Sequence, residues 1–170
     1  MDALSATERA FITEAILCWV YHYRLHQRER EQVKQILMIE EAQNIFRQSK
    51  TKVESFTETM FRQSRELGIG LVYIAQNASK IPVTILQNTF TNICFNQNHR
   101  KDIEACASIL PLDLKEREML SRLEVGKAVI RMAGKYTKPF MLTIPLVPIR
   151  KGMVTDEELK NGFDEGMPLG

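Results

Sequence analysis

The stretch Ile36-Leu37-Met38-Ile39-Glu40-Glu41-Ala42-Gln43 decides how the rest of the chain is read. Its apolar run is too short for a helix and is bounded by polar residues, so it reads as a buried strand, with two carboxylates directly after it. Working outward, Leu71-Val72-Tyr73-Ile74-Ala75 is a second strand, β-branched and aromatic, between Gly70 and the polar pair Gln76-Asn77. Asn92-Ile93-Cys94-Phe95 reads as a third. Between the first two, Thr51-Lys52-Val53-Glu54 has capping-box spacing, and Val53, Phe56, Met60, Phe61 and Leu67 keep helical period until Gly68 supplies a stop. Strands separated by helices predict parallel crossovers, hence an α/β layered fold that binds ligands at the carboxyl ends of its strands. The residues to examine are therefore Glu40-Glu41, Gln76-Asn77 and 96–100.

On the N-terminal side, Ser5-Ala6-Thr7-Glu8 is a capping box. Phe11, Ile12, Ala15, Ile16, Trp19, Val20 and Tyr23 then predict a helix to about Arg28 with this face in the core. Past the third strand, short helices are expected from Lys101 to Leu110 and from Lys115 to Leu123, the second entered through the cap Asp113 to Glu116, with another at Val83 to Gln87. Lys127 to Met132 and Phe140 to Val147 read as a hairpin around Gly134, with Pro145 and Pro148 holding the last strand at an edge or to its end. Thr155-Asp156-Glu157-Glu158 is a further cap spacing in the tail. Met38, Met60, Met119, Met132 and Met141 are expected as core filler. The expected division is one α/β sheet domain over 1–150 and a tail with a short helix over 151–170.

The chain has 170 residues, 44% hydrophobic and 26% charged, enough for one sizeable core. Its longest apolar runs fall far short of the roughly 20 residues of a membrane span. The N-terminus has no signal-peptide pattern, so a cytoplasmic protein is expected. The 23 basic and 21 acidic residues nearly cancel, so partners must be argued from motifs. Three cysteines without a Cys-x-x-Cys pair support neither a disulfide framework nor a cysteine zinc site, and reduced, mostly buried thiols are expected.

Two adjacent acids after a short apolar strand form the pattern by which P-loop NTPases hold Mg²⁺ and orient a water. Glu40 is a hard oxygen ligand for the metal and its water shell. Glu41, directed at the γ-phosphate, polarises the attacking water. A solvated turn can also carry two acids, so the pattern needs support. Gln76 gives it, because neighbouring parallel strand ends lie about 5 Å apart and a terminal amide there reaches a phosphate or the water held by Glu41.

With these residues in place the sequence resembles the HerA/FtsK-type hexameric P-loop ATPases, which include DNA translocases and the ATPases of conjugative secretion systems. Residues 36–43 look like their Walker B segment, 65–76 resemble the arginine-containing segment leading into a sensor glutamine, 88–95 the strand that follows, and 123–131 a late strand. The likeness covers about residues 7 to 147, with Glu40 where an Asp is common. It implies a partial RecA-like P-loop core, mainly parallel and flanked by helices with a late antiparallel hairpin. It further implies ATP and Mg²⁺ as cofactors, a homohexamer, DNA or nucleoprotein as the moved substrate, and a nuclease or secretion complex as a possible partner. It makes Arg65 an arginine finger acting in trans; the plainer reading is a cation complementing a helix end. Arg100 and Arg131 are weaker candidates. His22 and His26 stand one helical turn apart without a third ligand.

A phosphate cradle of the form G-x-x-x-x-G-K-[ST] is absent, since Gly126-Lys127 and Gly134-Lys135 lack both the upstream Gly and the following hydroxyl. The chain is therefore expected to be the C-terminal part of a larger motor and inactive alone, with a non-catalytic assembly module as the rival reading. Calorimetry of the isolated chain with ATP and Mg²⁺ is expected to show no binding at micromolar concentrations, and a saturable micromolar isotherm would reveal a nucleotide site outside this reasoning.

Overall fold

Three helices start where side chains satisfy their unpaired amides. Ser5, Ser55 and Asp113 each accept from the amide three residues on, while Glu8, Glu58 and Glu116 reach back to the cap N–H. The computed structural model describes residues 4–28, 30, 32–46, 55–136 and 138–148. In order these form α1 (Ala6–Leu25), β1 (Gln35–Ile39), α2 (Phe56–Gln63), β2 (Ile69–Tyr73), α3 (Val83–Gln87), β3 (Thr91–Cys94), α4 (Arg100–Ile109), α5 (Leu114–Leu120), β4 (Lys127–Met132) and β5 (Phe140–Thr143). Short 3₁₀ turns at Ala42–Asn44 and Ala78–Lys80 follow β1 and β2. The predicted cap at residues 51–54 and that at 155–158 lie outside the described residues; α2 begins at the Ser55 box instead.

β1 and β2 pair in parallel, with Leu37 opposite Leu71 and Ile39 opposite Tyr73. β3, β4 and β5 form an antiparallel sheet, with Cys94 opposite Val129. The structure is thus an α/β fold with the expected parallel pair and late hairpin, and β3 hydrogen-bonds to that hairpin through β4. Phe46, Met60, Ile81, Ile85, Leu110 and Leu120 are fully buried at the centre. Leu37, Leu71 and Tyr73 pack against this core from one pleat of the parallel pair. The opposite pleat is bare: Ile36 and Met38 are each 66% exposed, and Val72 and Ile74 are exposed as well. Parallel sheets are ordinarily covered on both faces, so this bare pleat is unusual.

Two sequence expectations are corrected. The stripe Phe11, Ile12, Ile16, Trp19 and Tyr23 does not face the core: Phe11 is 72% and Trp19 67% exposed, and Trp19 stacks on Tyr23 outside. Val20 is buried as expected, and beside it Leu17 and Arg24 are buried instead of the rest of the stripe. Polar contacts set this rotation, because the Tyr21 hydroxyl donates to Gln63 and Arg24 Nε donates to the Leu67 carbonyl over 2.9 Å. Among the methionines expected inside, Met60 is buried while Met38, Met119 and Met141 are exposed on outer pleats or faces.

Gly68 has φ +68°, and a Cβ there would lie 2.6 Å from the Gln32 carbonyl oxygen, so only glycine allows α2 to turn into β2 at this point. Cys94 and Cys106 are buried, as expected of reduced thiols. The hydrogen bond to Cys106, together with burial, pushes the Cys94 thiol up.

Asp102 of α4 is the buried anchor of the loop after β2. Its Oδ1 accepts from the Ser79 N–H over 2.8 Å, and His99 Nδ1 lies 3.8 Å from Oδ2. Burial works to raise its pKa, but hydrogen bonds from Ser79 and Asn77 outweigh it, and the carboxyl titrates below its ordinary range. A depressed folded value means that its contribution is present above the ordinary Asp range and is lost as pH falls through the folded value. Urea unfolding is expected to show Asp102→Asn about 1–2 kcal/mol less stable than wild type at pH 7. The gap should close below about pH 4.

Candidate functional site

Pairing in parallel carries the ends of β1 and β2 to the same side of the sheet. The ladder runs on past both strands, as the Ile74 N–H donates to Ile39 O over 2.8 Å and the Ala42 N–H donates to Ile74 O over 3.0 Å. This second bond fixes Ala42, which is fully buried, directly behind Glu41. Glu41 takes up the difference in direction with φ +54° and ψ +35°, the one non-glycine residue with positive φ among those described. A left-handed conformation at a residue with a Cβ costs about 1–2 kcal/mol, and such strain collects at functional sites.

The Glu41 carboxylate is gripped by amides. Gln76 Nε2 donates to Oε1 over 2.5 Å, Gln43 Nε2 donates to Oε2 over 2.9 Å, and Asn44 Nδ2 donates to Oε2 over 3.3 Å. Gln43 also accepts, through Oε1, from the Gln76 backbone N–H over 3.2 Å. Glu41 and Gln76 are exposed, whereas Gln43 is only 8% exposed. Glu40 is exposed and makes no hydrogen bond or ion pair with the described residues. A cleft of about 400 Å³ opens at Glu40 and Glu41, with Arg9 and Thr13 of α1 across from them and Asn44 and Ile45 at its side.

The donor set suits one metal. Among the described residues no three His, Cys, Asp or Glu side chains are grouped to hold an ion. Mg²⁺ typically takes only one or two carboxylates, with waters and phosphate oxygens completing its shell, and the free Glu40 oxygens fit that requirement.

The structure brings Glu40, Glu41 and Gln76 together and leaves Arg65 apart. Arg65 lies in the turn before β2, at the opposite end of a five-residue strand about 16 Å long. It is exposed and cannot meet the Glu41 of its own chain. Arg100 is exposed and paired with Glu104 over 2.9 Å. Arg131 donates to the Ile109 carbonyl over 2.9 Å and so ties β4 to the end of α4. His26 Nδ1 is 2.7 Å from the His22 carbonyl oxygen, so that nitrogen is engaged within the helix. Sequence reasoning missed the roles of Gln43 and Asn44, although both follow the acids directly in the chain.

No protein-family model matches the sequence, and no curated protein matches it. Solved structures do. The genome-packaging NTPase B204 from Sulfolobus turreted icosahedral virus 2 in complex with AMPPCP aligns with a TM-score of 0.54 at 17% identity, over 66% of this chain and 53% of that one. The same NTPase in complex with AMP aligns with a TM-score of 0.60 at 16% identity, over 77% and 62%. VirB4 of Thermoanaerobacter pseudethanolicus aligns with a TM-score of 0.58 at 18% identity, over 78% of this chain and 36% of that one. The chain spans between about one third and two thirds of the length of these proteins.

Replacing Glu41 by Gly or by Val removes the same carboxylate contacts, so the difference between the two variants isolates the backbone. Denaturant unfolding is expected to place Glu41→Gly at least about 1 kcal/mol above Glu41→Val, and equal stabilities would show that the left-handed turn stores no strain. In its strands, turns and helices the chain has the α/β fold of part of these structures, the partial P-loop NTPase fold expected from the sequence.

Proposed function

We propose that this chain is the C-terminal portion of an ATP-hydrolysing motor that moves DNA or a nucleoprotein substrate, with residues 1–150 belonging to the ATPase domain and 151–170 forming a tail. The observation that carries the reading is the hydrogen bond between Gln76 and Glu41 across two parallel strand ends, beside an unpartnered Glu40. Mg²⁺·ATP, when bound, supplies the phosphoryl group and the electrophile. Glu40 would hold the metal's water shell through a carboxylate oxygen. Glu41 accepts a proton from the attacking water, and its three amide donors keep the carboxylate aimed while it does so. Gln76, bonded to Glu41, would be within reach of a phosphate oxygen.

The phosphate cradle lies, on this reading, in polypeptide outside these residues. The bare pleat carrying Ile36, Met38, Val72 and Ile74 supports it, as does a two-stranded parallel sheet too small to stand alone. The neighbours, which include an NTPase bound to a nucleotide analogue, extend well beyond the matched part. Arg65, remote from its own Glu41, suits a finger reaching the nucleotide of an adjacent subunit in a ring, which would be a homohexamer. DNA as cargo, a nuclease or secretion complex as partner, and a cytoplasmic site of action follow from the same likeness. No helix among the described residues is long and apolar enough to cross a membrane. The exposed stripe on α1, with Trp19 stacked on Tyr23, favours a second reading as a non-catalytic assembly module.

Hydrolysis by the motor containing this chain separates the two. Glu41→Gln is expected to leave ATP binding in place and to lower turnover by roughly 10²-fold or more. Arg65→Ala is expected to lower it by about 10³-fold, and mixed rings of the two variants should regain part of the activity where intact acid meets intact arginine. Turnover unchanged by Glu41→Gln would favour the assembly module.

A further inference from the structure

Gln43 is a buried polar residue whose amide nitrogen and amide oxygen each bond to one of the two residues flanking it in space. Its Nε2 donates to Glu41 Oε2 over 2.9 Å, and its Oε1 accepts from the Gln76 backbone N–H over 3.2 Å. One contact needs a donor and the other an acceptor, so the amide has one orientation that satisfies both. Gln76 differs. Its side chain is exposed, and among the described residues its one hydrogen bond is the single N–H to Glu41.

We propose that Gln43 is the positioning residue of this site: it holds Glu41 to the end of β2 and leaves the Gln76 side chain free to exchange between Glu41 and a ligand. This rests on the reading that Glu41 orients the hydrolytic water. The two glutamine amides then divide the work. If Gln76 swings toward a phosphate oxygen, Glu41 loses its bond at Oε1 yet keeps the one at Oε2, because Gln43 is anchored by burial and by the Gln76 main chain. The strained backbone of Glu41 makes such an anchor necessary. With φ at +54° the residue gains nothing from its own conformation, and the Ala42 bond to Ile74 fixes the backbone but not the carboxylate.

Two near-isosteric variants separate the two contacts. Gln43→Glu keeps the acceptor for the Gln76 N–H and removes the donor to Glu41; Gln43→Met removes both and conserves volume. In the 170-residue chain, hydrogen exchange read by NMR should show protection of the Gln76 N–H falling by about tenfold or more in Gln43→Met and staying within about threefold in Gln43→Glu. In the motor containing this chain, both variants should lower kcat by about tenfold to 10²-fold while KM for ATP moves less than about twofold, the mark of a misaimed group rather than a lost binding contact. A purely structural clip would lower the melting temperature and leave kcat near wild type. Unchanged Gln76 protection in Gln43→Met overturns the anchor. Wild-type kcat in Gln43→Glu, where Glu41→Gln abolishes hydrolysis, overturns the positioning role and leaves the proposed function standing. Wild-type hydrolysis in Glu41→Gln overturns both.

Discussion

Everything that this chain can do chemically depends on β1 and β2 running side by side in the same direction. Two main-chain hydrogen bonds extend that pairing beyond the regular strands, from Ile74 to Ile39 and from Ala42 to Ile74. Without them Glu41 and Gln76, which are 35 positions apart in the chain, would have no reason to meet. The antiparallel sheet and α4 serve this pair from a distance. Asp102 reaches from α4 to the Ser79 amide and fixes the segment that leaves Gln76, so the second half of the molecule steadies the exit of β2.

The cost of this arrangement is concentrated at one residue. Glu41 must turn the chain from an extended strand into the Ala42–Asn44 turn within a single residue, and it does so in a backbone region that disfavours a side chain. A glycine would be more comfortable there and would carry no carboxylate. A Glu at such a position runs against the local conformational preference, and strain of this kind collects at functional sites. The amides of Gln43, Asn44 and Gln76 convert the odd backbone direction into a defined side-chain direction.

Much of this was legible in the sequence because it depends on local pattern. Capping boxes at Ser5 and Asp113 locate helix starts from four letters each, and the strand-plus-acids pattern at 36–41 locates the site. The parallel pairing and the late hairpin followed from the spacing of elements. What was not legible depended on which partner each element finds. The stripe from Phe11 to Tyr23 is as apolar as the face that was buried, and only the long-range bonds of Tyr21 and Arg24 to the α2 end show which way α1 turns. Met38 likewise sits on a strand that is buried on one pleat alone. Gln43 escaped notice for a different reason: its importance lies in a contact with residue 76, and no local rule marks a glutamine after two acids.

The uncovered pleat of the parallel pair also bears on how the chain behaves as a material. Ile36, Met38, Val72 and Ile74 form a contiguous apolar surface beside strand edges that no described strand occupies. Such a surface is sticky toward copies of itself and toward holdase chaperones, and unpaired edges template sheet extension. Aggregation of the isolated chain is therefore expected to rise with concentration, and detergent-like additives or charges placed at the strand edges are expected to extend its working range.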